Sequence, residues 1–168
     1  MNTPTEMRRE FEQYAEIGNE FIERLGIALN TKRSPRKTLR ILNRVFAGLR
    51  SHLPFHESVN TIEILPMAIR GIYVDGWQLR SSSPKITTTD DFLMAVMGGE
   101  RGKAKEFHHV EDAIIAALGV IETIAQFAFP GMPDETIESL PRGLRNLYHT
   151  LARISSRNTY SRTIIDRM

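Results

Sequence analysis

Cysteine is absent from the 168 residues, which excludes disulfides, thiolate metal sites, iron–sulfur clusters and cysteine nucleophiles. Long apolar runs are missing as well: nothing approaches the roughly 18 residues that a membrane span needs, so no membrane partner is expected. The first residues, with Glu6, Glu10 and Glu12 among them, lack the basic-then-apolar build of a secretory signal, which leaves the cytoplasm as the expected compartment. Net charge is only +2, from 22 basic and 20 acidic side chains, so the field of the whole molecule gives little reason to expect a nucleic-acid binder. Sustained apolar–polar alternation is lacking too, and Ile86 to Thr89 is β-branched but too isolated to pair. The expected fold class is therefore all-α. A charged share of 25% and an apolar share of 41% are ordinary for a globular protein.

What the chain does have is a repeat. Ile62-Glu63-Ile64-Leu65-Pro66-Met67-Ala68-Ile69-Arg70-Gly71-Ile72-Tyr73 returns 75 positions later as Ile137-Glu138-Ser139-Leu140-Pro141-Arg142-Gly143-Leu144-Arg145-Asn146-Leu147-Tyr148. Six of the twelve positions are identical and two more exchange Ile for Leu. The same offset matches Leu39, Leu42, Val45, Phe46 and Leu49 with Ile114, Ala117, Val120, Ile121 and Ile124, apolar against apolar at helical spacing. Further upstream, Phe21-Ile22 and Leu25 resemble Phe92-Leu93 and Val96 at a shorter offset. A unit of about 75 residues lies near the lower end of what folds alone. The expectation is one compact helical bundle of two tandem, sequence-related four-helix repeats, divided as 1–80, a linker at 81–91, a second repeat at 92–155 and a C-terminal tail at 156–168.

Local signals place the helices. Thr3-Pro4-Thr5-Glu6 combines a capping box with proline at the first helical position. Met7, Phe11, Tyr14, Gly18, Phe21 and Leu25 then form one apolar stripe. Ser34-Pro35 opens a second helix with Leu39, Leu42, Val45, Phe46 and Leu49 inward, and Leu53-Pro54 ends it. A short helix from about Glu57 to Ile64 and one opened by Pro66 follow, closed by Asp75-Gly76. In the second half, Thr89 is the expected cap of a helix reaching Met97. Gly99 to Phe107 is the longest loop, His109 to Phe127 the next helix and Asp134 to Ser139 a short one. Pro141 opens the last, lined by Leu144, Leu147, Tyr148, Leu151 and Ile154, and Ser155 onward reads as a frayed tail or a short extra helix.

Leu65-Pro66-Met67-Ala68-Ile69-Arg70-Gly71-Ile72-Tyr73-Val74-Asp75-Gly76-Trp77, with Gly18-Asn19-Glu20-Phe21 and the Arg40 to Leu53 helix, resembles the bacterial domain-of-unknown-function family 2267 over about residues 10 to 150. The resemblance implies a small all-helical bacterial protein with no established activity, so no catalytic residue is carried over. The second copy departs from the pattern: Thr150, Leu151 and Ala152 stand where the first has Asp75, Gly76 and Trp77.

From Arg24 to His56 there is no acidic residue and there are eight basic ones. Arg36, Arg40 and Arg44 recur at four-residue steps along one helix face, with Lys32, Arg33 and Lys37 at its start. Such a stripe suits a phosphate backbone or an anionic partner. The plain alternative is a solvated face neutralised by Glu10, Glu12, Glu16 or Glu57. Tyr73 and Trp77, with Asp75 as polar anchor, suit a pocket for a flat ligand, and equally a satellite core. Arg70 and Arg145 read as structural residues pairing with Glu63 and Glu138. His52, His56, His108, His109 and His149 meet no metal-ligand spacing, and Pro54 breaks the helix that would align the first two. Neither a metal nor a cofactor is expected. The leading expectation is a non-enzymatic interaction module with an unknown protein partner or self-association. The alternatives are polyanion or nucleic-acid binding through the basic helix, and a carrier or enzyme with a pocket between the repeats.

Overall fold

The structure is a computed structural model that describes residues 3–77, 88–98, 106–132 and 135–165. Among these residues it holds seven helices and no strand: α1 (Pro4–Ala28), α2 (Pro35–His52), α3 (Phe55–Ile64), α4 (Met67–Val74), α5 (Thr89–Met97), α6 (Val110–Ala128) and α7 (Arg142–Ile165). Each begins where local chemistry favours it. Thr3 accepts from the Glu6 amide while the Glu6 carboxylate accepts from the Thr3 amide, a complete capping box. The Ser34 hydroxyl accepts from the Lys37 amide ahead of Pro35. At α5 the cap is Thr88, one residue earlier than expected, accepting from Asp91. The Asp112 carboxylate holds the amides of His108 and His109 at the start of α6. Burial alone would raise the Asp112 carboxyl, but those two amides and the histidine charges outweigh it and hold the group below its usual range.

Helix ends follow the same logic. Asn30 adopts φ 57°, the left-handed region that asparagine tolerates better than most residues. It lets the Thr31 amide reach the Gly26 carbonyl at 2.7 Å and its own amide reach Ile27, which turns the chain from α1 toward α2. Gly98 (φ 111°) ends α5 in the same region.

One core runs through the body. α2 lies against α1, α4, α5 and α6, and α6 lies against α1, α2, α5 and α7. The most extensive contact is α2 on α5. Gly48 permits it: a Cβ there would stand 2.7 Å from Val96 Cγ2 and 2.9 Å from Phe92 Cε2. Phe21, Leu42, Val45, Phe46, Leu49, Phe92, Val96, Val120, Ile121 and Ile124 are fully enclosed.

Four expectations are corrected. Seven helices are described rather than eight, because 135–139 forms a run of turns, with Asp134 itself outside the described residues. Ser139 bonds four residues back to Glu135 while Leu140 reaches only three back to Ile137, and by sequence Pro133 and Pro141 bracket too few residues for helix propagation. Leu39 is 37% exposed, and Ile41 takes its place in the core. The stretch from Ser155, read as a frayed tail or a short extra helix, is neither a tail nor a separate helix, since α7 runs on to Ile165. The α1 stripe is buried only in its second half: Gly18, Phe21 and Leu25 are enclosed, while Met7, Phe11 and Tyr14 are exposed. The glycine-rich stretch 99–105 and most of the linker, 81–87, lie outside the described residues.

Candidate functional site

The basic run of α2 divides by depth. Arg44 Nε donates to the Val96 carbonyl at 2.9 Å and Nη2 to Ala95 at 2.8 Å, so its guanidinium closes the C-terminus of α5. Arg50 Nη1 donates to the Tyr73 carbonyl at 2.8 Å and does the same for α4. Burial pulls the Arg50 pKa down, partly offset by Tyr73 and Asp75 nearby. Arg40 Nε pairs with Glu106, whose own carboxylate is nearly covered. Burial pushes Glu106 up, but the Arg40 hydrogen bond and the charges of Arg40 and Lys37 bring it below its usual range. Lys32, Arg33, Arg36 and Lys37 remain exposed at the start of the helix. Among the described residues Lys32, Arg33 and Arg36 form no ion pair.

Beside this end lies a half-open groove of about 310 Å³ lined by Asn19, Ile22, Glu23, Gly26, Lys32, Pro35 and Thr38. The Thr38 hydroxyl at its floor is shared between Thr31 and the Ser34 carbonyl. The arrangement offers the Lys32 cation, the cap of α2 and an apolar wall to one partner group, with the Glu23 carboxylate of α1 also lining it.

Two of the acids weighed as counterions act elsewhere. Glu12 pairs with Arg8 at 3.2 Å within α1. Glu57 Oε2 accepts from the Gly143 amide at 3.1 Å, placing a carboxylate on the N-terminus of α7, 86 residues away. Sequence reasoning missed this link and the Arg40–Glu106 pair, since both join distant segments.

Tyr73 lies in the core at 0% exposure, with the Phe46 ring 4.9 Å and Trp77 6.1 Å away. Its hydroxyl shares a 2.8 Å hydrogen bond with buried Ser58, and burial pushes its pKa up to about 12. Trp77 folds back on Tyr73 and Phe55, while Asp75 stays exposed. A ligand reaching the Tyr73 ring would have to displace packed side chains. Tyr148, its sequence counterpart, instead donates to Glu122 Oε1 at 2.7 Å, and burial, with that bond, raises its pKa to about 12.

Arg70 and Arg145 hold carbonyls rather than the carboxylates expected of them. Arg70 donates to Leu65 and Glu63, and Arg145 Nη1 to Glu138 at 3.1 Å. The Glu138 carboxylate faces His149 Nε2 at 2.7 Å. Among the described residues no three metal-ligating side chains converge, and no helix is long and apolar enough to cross a membrane. Compared with known families, residues 18–147 match the one described as uncharacterized conserved protein, DUF2267. No curated protein matches the chain.

Proposed function

The chain belongs to the uncharacterised DUF2267 family, and we propose that it is a non-enzymatic interaction module, made by duplication of a helical half-unit, that docks an acidic partner on the cationic start of α2. The duplication is supported by bonds that recur at the 75-residue offset. Arg70 and Arg145 each reach the carbonyl seven residues back, and the Leu65 and Leu140 amides each reach the carbonyl three back, of Ile62 and Ile137 respectively. Leu65 and Leu140, then Ile69 and Leu144, are buried alike. The copies are not interchangeable, because α4 stops at Val74 whereas α7 runs on. The working place we infer is a bacterial cytoplasm.

One observation carries the docking reading: Lys32, Arg33 and Arg36 stand exposed without an acidic partner among the described residues, while Arg40, Arg44 and Arg50 on the same helix are engaged. A carrier or enzyme built around Tyr73 and Trp77 is disfavoured by the closed packing of that ring and its bonded hydroxyl.

The test compares wild type with Lys32→Glu/Arg33→Glu/Arg36→Glu in titrations against polyglutamate and against a single-stranded oligonucleotide at two salt concentrations. The expected result is polyglutamate binding that the variant loses. Tighter oligonucleotide binding with a steep salt slope would replace the acidic partner with nucleic acid. Failure of wild type to bind either polyanion at low salt would overturn the reading.

A further inference from the structure

The first four turns of α1 bury none of their described residues. Every residue from Thr3 to Ile17 is exposed, and Gly18 is the first to be buried. Fourteen helical residues span about 21 Å, and a helix of that length without tertiary contacts is marginal in water. This one nevertheless carries a complete capping box and proline at its first turn.

Its face is also made for contact. Met7 (48% exposed), Phe11 (65%) and Tyr14 (36%) continue the same four-three stripe that Gly18, Phe21 and Leu25 bury in the core. Pro4, Met7, Arg8, Phe11, Glu12 and Ala15 line an open, almost wholly apolar groove of about 550 Å³. The stripe therefore changes from an internal contact to a bare surface at Gly18, where the family match begins.

The other terminus supplies a complement. The match ends at residue 147, and α7 continues to Ile165. By sequence the N-terminal addition, residues 1–17, holds four carboxylates against two arginines. The C-terminal one, residues 148–168, holds four arginines against one aspartate. Arg153 and Arg157 are exposed on α7. Among the described residues α1 and α7 make no extensive contact within one chain. We infer that this chain forms a two-fold dimer in which the α1 extension of each copy receives the basic α7 extension of the other. Reciprocity counts the contact twice, which a single short helix pair needs in order to approach the roughly 1,200 Å² of a stable interface. This surface is separate from the start of α2, so the dimer stands or falls independently of the docking reading.

Sedimentation of the full chain over a concentration series tests it, with Phe11→Glu and Arg153→Glu/Arg157→Glu as variants and circular dichroism to confirm their fold. Phe11, Arg153 and Arg157 are solvent-exposed, so both proteins should fold. Wild type is expected to dimerise, and each variant to weaken the dimer by about tenfold or more. An equimolar mixture of the two variants keeps one intact pairing and should partly reassociate. A monomeric wild type would overturn the inference. So would a dimer indifferent to Phe11→Glu, or one that Arg153→Glu/Arg157→Glu leaves unchanged, the latter pointing to α1 on α1.

Discussion

At the scale of single residues, the enclosed polar pair Tyr73 and Ser58 is the sharpest feature. Both are 0% exposed and each hydroxyl satisfies the other at 2.8 Å. Removing one strands the other, so Tyr73→Phe or Ser58→Ala should cost about 1–3 kcal/mol, and the double variant less than their sum. Urea unfolding of the three proteins measures this, and strict additivity would contradict it. The pair also has a pH consequence. An unfolded tyrosine titrates at about 10, whereas folded Tyr73 is held up to about 12. Below the lower value both states are neutral and stability is level. Above it the unfolded state ionises first, so stability falls as pH rises toward the folded value. Tyr73→Phe should flatten part of that alkaline decline, with Tyr148 contributing the rest through its own raised pKa.

Among elements, the crossing of α2 on α5 fixes the relation of the two halves. Gly48→Ala gains about 1 kcal/mol of helix propensity, but the new methyl meets the stiff Val96 side chain and the enclosed Phe92 ring below 3 Å. Overpacking of this kind costs about 1–3 kcal/mol, so a net loss in thermal stability is expected, and a stabilised variant would show that α5 yields freely. Element starts were legible in the sequence because caps are local: Thr3-Pro4 and Ser34-Pro35 each carry their own hydrogen-bond partners within three residues. The turns at 135–139 read as a helix in sequence because the amphipathic residues are present, but the length between prolines is too short. The fate of the α2 arginines was not legible. Arg36, Arg40 and Arg44 look equivalent in sequence, yet only the fold brings Ala95 and Val96, about fifty residues on, under Arg44 and Glu106 beside Arg40.

On the scale of the whole molecule, the all-helical character was readable from periodicity. The half-buried state of α1 was not, since the apolar stripe continues unchanged across Gly18 and nothing local tells a core from an interface. What unites the body is shared burial. α2 and α6 touch each other and each lies on an opening helix of the other half, α2 on α5 and α6 on α1. Gly119 allows Leu29, just past the end of α1, to approach α6 closely, and Arg24 sits 4.7 Å over the Phe127 ring. Neither half then keeps its apolar face covered alone, and the two should open together. Hydrogen exchange of the slowest amides in α2 and α6, followed through increasing urea, tests this most directly. The account predicts that both sets converge on one opening free energy with a common urea dependence. Amides of α6 that open at low urea while those of α2 stay protected, or the reverse, would contradict it.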